Sequence, residues 1–540
     1  MLDMNASAPT QSDRDEEKPF AVKIFTTATE YDYAEPWKAP SVKKWTGSGF
    51  TVEGNKIITN AHVAGGAIFL EVQLANDSVK YRAQLKSVGH DCDLAILEVD
   101  DPEFWEKARI VSISETPTRR EKVEVHGFPM GGREYCITSG IVSRTESDYY
   151  AHSEEMLLST QVSAPINPGN SGGAVINKKT GEVVGVVHQG LRGGQNIGYM
   201  IPAGVLKHYI HQAETEKVGF PDLAISVQTM ENNYLRSRFR MRKDQSGILV
   251  TDIHLLSSAF LRLKEGDVLM AINGHQIHND GHVHNIGSMR KVDWRYLINN
   301  SELGDEVTFS VLRNGKECSE RFTLENSLRA TKIISGLEFG KPPSYFMIAG
   351  LICAQPVNKN YIYDTKEMFP NRQKKFKGEQ LIAINTVLAT EYTQGYSGFR
   401  GEIIERVNGR NIHNMNDLVE AVEENPGKNH MIELHSGKHL VVPNLSKPDA
   451  AAALIQYGIE HDRSIDLVKQ EPSKDPLETL MGLDSQPVLF SAGSSGSLAS
   501  KGKEKAPPPP VALDPNQSDD ELDEWFEKLS IEQKPSIRPH

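Results

Sequence analysis

Residues 167–175 read NPGNSGGAV. Ser171 stands before Gly172 and Gly173, with Gly169 two positions ahead of it. A serine hydroxyl is a poor nucleophile until a base takes its proton. The oxyanion that then develops needs N–H donors fixed in advance. Glycine lets the Gly169–Asn170–Ser171 turn aim its N–H groups, those of Gly169 and Ser171 foremost, at one point. Gly172 and Gly173 are expected to leave room for an approaching substrate.

A base and a carboxylate lie upstream. ITNAHVA puts His62 at the end of a strand, and HDCDLAILEV puts Asp93 just before an apolar strand. The order His62, Asp93, Ser171 is that of the chymotrypsin-type arrangement. Taken singly, the histidine reads as structural, the aspartate as a turn residue and GNSGG as a tight turn. Together, in one β-rich stretch, they predict a nucleophilic site.

Around these residues, positions 20–210 break into short apolar runs separated by Gly, Asn and Asp, among them GSGFTV, KIITNAHV, LAILEV, KVEVHGF and EVVGVVHQG. That spacing predicts an all-β barrel or sandwich. PAGVLKHYIHQAE follows with helical periodicity. Two further units, near 220–328 and 335–445, each carry a strand, an Asn-Gly turn and a polar restart: DVLMAINGHQIHND and EIIERVNGRNIHN. They form a weak internal repeat. Beyond 460 a Ser/Gly run passes into polyproline, which predicts a disordered tail. Near 519–530 the sequence predicts a short amphipathic helix, capped by Ser518 and bearing Leu522, Trp525, Phe526 and Leu529 on one face.

Composition narrows the function classes. The chain has 540 residues, too many for one core. Lys and Arg total 59 against 72 Asp and Glu, a net charge of −13 that argues against nucleic acid or anionic lipid as the main ligand. Cys92, Cys136, Cys318 and Cys353 form no C-x-x-C pair, so reduced thiols are expected rather than disulfides or a zinc framework. His278, His282 and His284 in HNDGHVHN read as a solvated loop, and no metal or other cofactor is expected. GSGFTVEG does not complete a dinucleotide-binding motif, and no Walker motif occurs. The first twenty residues have no apolar h-region and are acidic, so a cytoplasmic location is expected, with the nucleus or non-classical export as alternatives. YFMIAGLICA is about half the length that spans a bilayer, and no membrane partner is expected.

GSGFTV…IITNAHV, DCDLAIL, GFPMGG, TSGIVSR, INPGNSGGAV and NIGYMIP occur in the order found in the Deg/HtrA serine proteases, which this sequence resembles. PWKAPSVKKWTGSGF, DDPEFWE and YFMIAGLICAQP are similar to the plant-type members. The resemblance implies a mostly β protein: a flexible start (1–19), a chymotrypsin-like double β-barrel (20–215), two PDZ-like α+β domains (220–328 and 335–445) and a disordered tail (460–540). It implies an ATP-independent endopeptidase of unfolded or damaged proteins, with His62 as general base, Asp93 as its orienting partner and Ser171 as nucleophile. The alternative is a PDZ-based chaperone or scaffold with little proteolysis. A homo-trimer or larger assembly is implied through AVKIFTTATEYDYAEPW, whose Phe25, Tyr31, Tyr33 and Trp37 would pack between subunits.

Within that fold the first specificity pocket has its base shortly before the serine. Pro165 and Ile166 stand there without an acid, which predicts cleavage after small or medium apolar side chains. His188, Gln189 and Gly190 would line the opposite wall, His188 as a wall or structural residue. Ser246, Gly247, Ile248 and Leu249 would receive a peptide C-terminus in the first PDZ unit by β-augmentation. That unit departs from the family in having no Pro-Ala-Gly turn before its helix, and the other has a long insertion, which leaves open whether it binds peptides or serves as a packing or oligomer-forming element.

Overall fold

A computed structural model describes residues 18–130, 134–190, 197–215, 219–287, 289–327, 330–334, 340–355 and 373–468. The helix expected near 519–530 and the linker before it lie outside the described residues.

The chain opens with β1 (Ala21–Glu30), β2 (Ser41–Val52), β3 (Lys56–Thr59), β4 (Ala67–Leu74), β5 (Tyr81–Gly89) and β6 (Leu94–Glu98), which close into a barrel in the order β1-β2-β3-β6-β5-β4. Alternation explains why. In AVKIFTTATE, Val22, Ile24, Thr26 and Ala28 are buried while Lys23, Phe25, Thr27 and Thr29 stay half-exposed. Val22, Ile24, Ile57, Val72 and Leu97 fill the interior. A single helical turn, α1 (Ala61–Ala64), follows β3, and α2 (Pro102–Lys107) follows β6, capped by Asp101 accepting from the Glu103 N–H.

A second closed barrel runs β10-β11-β12-β9-β8-β7. Its strands are β7 (Lys122–Gly127), β8 (Cys136–Tyr149), β9 (Met156–Val162), β10 (Ala174–Asn177), β11 (Val183–Gly190) and β12 (Gly198–Pro202). The run VVGVVH in β11 is buried throughout. Helix α3 (Ala203–Thr215) closes the unit, as its periodicity predicts. Phe50, Ile58, Leu94 and Ile96 of the first barrel join Leu158, Val186 and Ile201 of the second, and Tyr209 of α3, in one apolar cluster. Burial of each such side chain contributes about 1.5–3 kcal/mol. This seam fixes the two barrels against each other, and Asp93 and Ser171 lie on loops beside it.

Next come β13 (Ile225–Thr229), α4 (Asn233–Arg238), β14 (Ile248–Ile253), β15 (Val268–Ile272), β16 (His275–Gln276), the hairpin β17 (His282–Ile286) with β18 (Met289–Asp293), α5 (Arg295–Asn299), β19 (Glu306–Arg313) and β20 (Lys316–Thr323). The main sheet has the order β13-β14-β15-β19-β20. Then β21 (Tyr345–Ile348), β22 (Leu351–Ala354) and β23 (Ala383–Val387) form one sheet. β24 (Ile404–Val407), β25 (Arg410–Asn411), β26 (Asn429–Leu434) and β27 (His439–Pro443) form another, with α6 (Met415–Glu423) packed on it, while Leu454 of α7 (Lys447–Ile455) joins Tyr345, Met347 and Ile352.

Two expectations are corrected. Tyr33 and Trp37, expected between subunits, pack within the chain. The Tyr33 hydroxyl donates to Lys341 O at 2.7 Å, and Trp37 lies against the cluster of Tyr345, Met347, Ile352 and Leu388. A carbonyl in a loop and an apolar sheet face far along the chain satisfied these aromatics first. The tail also starts later than 460. Met347 N–H donates to Asp462 O at 2.8 Å and Ser464 N–H to Tyr345 O at 3.0 Å, so residues to 468 complete the β21 edge.

Candidate active site

His62 sits in α1, directly after β3, so its ring projects from the rim of the first barrel. Asp93 precedes β6 with φ +52, a left-handed conformation uncommon for a residue with a side chain. The turn is held by the Asn60 side chain, which donates to Asp93 O at 2.8 Å. Asp93 is fully buried. Its Oδ1 accepts the His62 backbone N–H at 2.9 Å, and its Oδ2 lies 2.7 Å from His62 Nδ1. Two contacts to one residue fix both the backbone and the ring. His62 keeps 26% of its side chain exposed, so the opposite nitrogen has access to a cleft.

Burial alone would raise the Asp93 pKa. The neighbouring imidazoles, and the hydrogen bonds from His188 and His62, outweigh it and hold the carboxyl well below the usual carboxylate range. Asp93 is therefore an anion at neutral pH.

Ser171 sits in a turn pinned to both barrels. Ser48 N–H donates to Ser171 O at 2.9 Å, Ser48 Oγ–H to Gly169 O at 2.7 Å, and Gly172 N–H to Val187 O at 3.0 Å. Asn170 N–H is used inside the turn, donating to Asn167 O at 3.1 Å, so it is no oxyanion donor in this state. The N–H groups of Gly169 and Ser171 have no hydrogen-bond partner among the described residues. No hydrogen bond joins His62 to the Ser171 hydroxyl. In an unliganded site such contacts are commonly long and tighten with substrate.

The room at Gly172 and Gly173 is filled by the chain itself, not left for substrate. A Cβ on Gly172 would lie 2.2 Å from Ser48 O, and one on Gly173 2.3 Å from His126 O. With φ +83 at Gly172 as well, no larger residue fits.

The predicted pocket residues divide. Ile166 lies against the ends of β11 and β12: a Cβ on Gly198 would meet its Cδ1 at 2.3 Å, and Gly198 pairs with Gly190. Pro165 is exposed, and its carbonyl accepts from Thr138 Oγ1 at 3.0 Å. Gln189 Oε1 accepts from Ala151 N–H at 2.9 Å. His188 is not on an open wall. It is 4% exposed, turned inward, with Nδ1 2.9 Å from Asp93 Oδ2 and its ring 4.6 Å from that of Tyr150. The register of β11 with β12 shifts between Val187 and Gln189, and His188 at this irregularity is turned into the interior.

Sequence reasoning missed His152 and His90. His152 Nδ1 lies 4.0 Å from Asp93 Oδ1, its ring centroid is 6.1 Å from that of His62, and His90 Nδ1 is 3.0 Å from its Nε2. Burial pushes the His152 pKa down to about 3, so it is neutral at pH 7. Nothing in the local sequence of AHSEE signals this; the contact depends on how the β8–β9 loop folds back.

The peptide-receiving stretch of the first PDZ-like unit is also corrected. β14 pairs with β13 on one side and β15 on the other, so Ile248 and Leu249 present no free edge, and both are buried. Gly247 N–H donates to Asn279 Oδ1 at 3.1 Å, and Ser246 Oγ–H to Ile277 O at 2.8 Å. Among the described residues, β13 pairs only with β14 and is the edge strand. At the other histidine cluster, the rings of His278 and His284 stack at 4.0 Å, and His282 Nδ1 lies 3.0 Å from Asp280 O.

Comparison with known proteins follows this geometry. Residues 47–186 match the trypsin-like peptidase domain, and residues 335–466 match the PDZ domain. Protease Do-like 4, mitochondrial, of Arabidopsis thaliana is 37% identical over 80% of this chain and 82% of its own length. The chain belongs to the Do-like (Deg/HtrA) family of serine proteases. Within that family, Protease Do-like 2, chloroplastic, of Arabidopsis thaliana is 32% identical over 86% of this chain and 77% of the relative. The solved structure of the HtrA-type protease AlgW with decapeptide covers 57% of this chain and 95% of that one, at 22% identity and a TM-score of 0.44.

The family assignment corrects the cytoplasmic expectation. Four Arabidopsis thaliana relatives, 32–37% identical, are named mitochondrial. The missing h-region speaks only to the secretory route, and the acidity of a few leading residues does not decide a compartment.

Proposed function

We propose that this Do-like protease is an ATP-independent endopeptidase of unfolded or damaged polypeptides, cutting after small or medium apolar side chains. In this reading His62 takes the Ser171 proton as the hydroxyl attacks the scissile carbonyl, then returns it to the leaving amine. Asp93 holds the ring and stabilises the imidazolium. The N–H groups of Gly169 and Ser171 receive the oxyanion. The observation that carries the reading is the double contact between Asp93 and His62, backbone N–H and ring nitrogen together, on an anion beside the Ser171 turn.

Ile166 between Gly190 and Gly198, with no acid among these residues, supports the apolar preference. The relatives' names support a mitochondrial place of action. The uncovered β13 edge supports peptide binding at the first PDZ-like unit. There the β13 edge replaces β14 as the site for β-augmentation. We further infer a homo-oligomer of the kind the family resemblance implies.

Labelling with a fluorophosphonate, and β-casein digestion beside Ser171→Ala, test the reading. Labelling and cleavage by the wild-type chain alone are expected. Intact casein in both, with no label on Ser171, leaves the chaperone or scaffold reading, which the missing His62–Ser171 hydrogen bond also allows.

A further inference from the structure

Asp93 carries more imidazole around it than a base-orienting carboxylate requires. His62, Asp93 and His152 each offer a ligand atom, and these atoms lie within 4.8 Å of one another. Two imidazole nitrogens and one carboxylate oxygen are a set that zinc takes, with water in the fourth position. We propose that His62, Asp93 and His152 form an inhibitory site for a divalent transition-metal ion, Zn²⁺ above all, inside the protease cleft.

The spacing suits an ion better than a direct contact. The 4.0 Å between His152 Nδ1 and Asp93 Oδ1 is too long for a hydrogen bond. Ligands on a tetrahedral zinc, with bonds of about 2.0–2.1 Å, stand roughly 3.3 Å apart. Bringing His152 Nδ1 and Asp93 Oδ1 to that separation takes under an ångström, and His62 Nδ1 and Asp93 Oδ2, now 2.7 Å apart, open by a similar amount. Calcium and magnesium are disfavoured, because imidazole nitrogen suits zinc, copper, nickel and cobalt.

The ligands are held from behind, as in built metal sites. His90 Nδ1 stands 3.0 Å from His152 Nε2 with the rings stacked, and His188 Nδ1 lies 2.9 Å from Asp93 Oδ2. The loop bearing His152 is itself tied down. Ala151 N–H donates to Gln189 Oε1 at 2.9 Å, and Ser153 Oγ–H to Asp91 O at 2.8 Å. Asp93 and His152 are nearly closed to solvent, whereas His62 has 26% of its side chain exposed. An ion thus enters past His62.

Inhibition follows whichever His62 nitrogen binds. A metal on Nε2 consumes the lone pair that would accept the serine proton. A metal on Nδ1 breaks the ring's hydrogen bond to Asp93, which becomes a ligand instead, and forces the ring proton onto Nε2. Neither form is a general base.

Cobalt is the spectroscopic probe. The full chain carrying Ser171→Ala, titrated with Co²⁺, should develop the visible absorption of a four-coordinate ion, saturate at one ion per chain and lose the signal to Zn²⁺. His152→Gln should weaken Co²⁺ binding by at least ~10-fold, and the outer-partner variant His90→Gln by a smaller factor. If His152→Gln fails to fold by circular dichroism, His90→Gln decides. On the wild-type chain, Zn²⁺ should abolish peptide hydrolysis and EDTA should restore it. No Co²⁺ spectrum at millimolar metal, or equal affinity in the wild-type ligand set and both variants, overturns the proposal. Because the spectrum is read without Ser171, failure of the metal site and failure of the hydrolytic reading give separate results.

Discussion

His188 and His62 share one oxygen of Asp93, their Nδ1 atoms standing 2.9 and 2.7 Å from Oδ2. Each Nδ1 must donate, so His188 is fixed as the tautomer with its other nitrogen bare. That Nε2 is buried and has no hydrogen-bond partner. A buried polar atom left unsatisfied costs free energy, which the hydrogen bond to the anionic carboxylate offsets. His188→Phe keeps the volume and removes the donor. Asp93 then loses one of the two imidazole donors on its Oδ2, and the carboxylate is held less firmly against His62. Losing a hydrogen bond to a charged group costs about 1.5–3 kcal/mol, so kcat/KM at neutral pH should fall roughly 10- to 100-fold if Asp93 loosens accordingly. His188→Gln, which can still donate, should recover part of it. A kcat/KM equal to wild type in His188→Phe would show that His188 only packs.

Acid should destabilise the chain through His126. Burial lowers its pKa from 6.5 to about 4, and its side chain is nearly inaccessible. The sign follows from proton uptake. Above pH 6.5 neither state is protonated and the full stability is present. As pH falls toward about 4, the unfolded chain takes a proton that the native state refuses, and stability is lost. The loss reaches on the order of 3 kcal/mol near the lower end. Urea melts at neutral and mildly acidic pH should show this slope in wild type and a shallower one in His126→Phe. Equal slopes would assign the acid sensitivity to other groups.

Local chemistry was legible in the sequence and long-range geometry was not. His62, Asp93 and Ser171 each sit in a motif a few residues long whose turn and strand can be read by eye, and the structure brings His62 and Asp93 into contact. The barrels were legible because alternation in AVKIFTTATE and continuous burial in VVGVVH are local patterns. His188 was misplaced because its partner, Asp93, lies 95 positions away. His152 went unseen for the same reason. SGILV carries a good strand pattern, but whether a strand is inner or edge depends on sheet order, and β13 covers it. The glycines after Ser171 show flexibility in sequence, but only the backbone packed against them shows what the space is for.

Lys332 and Glu155 test how far the His152 loop depends on a distant segment. Glu155 is 3% exposed, and Lys332 Nζ lies 2.7 Å from both of its oxygens. Lys332→Met removes the lysine from a buried carboxylate, while Glu155→Gln with Lys332→Met removes the charge as well. The lysine is partly exposed, so water compensates in part and the single variant should lose about 1–3 kcal/mol. The double variant should recover most of it in chemical denaturation. Amide hydrogens of residues 150–156 should exchange faster in the single variant. Unchanged exchange there would uncouple the loop from this ion pair.

Trp37 and Asn385 pin the β1–β2 loop to the unit that begins at β21. The Asn385 side chain donates to Tyr33 O at 2.9 Å and Ala34 O at 3.1 Å, and Thr386 Oγ1–H donates to Ala34 O at 3.1 Å. Trp37 adds its ring to the cluster formed by Tyr345, Met347 and Leu388. The ring is only half-buried, so Trp37→Ala should cost about 2 kcal/mol, below the range for a fully buried aromatic. Asn385→Ala should cost about 1–2 kcal/mol through the lost hydrogen bonds to Tyr33 O and Ala34 O, the latter still held by Thr386. Because the residues act on one loop, the double variant should lose less than the sum. The decisive readout is limited proteolysis at residues 31–40: both single variants should be cut faster there than wild type, at equal rates in dilute and concentrated protein. Protection that appears only at high concentration would mean instead that these aromatics are buried by another copy of the chain.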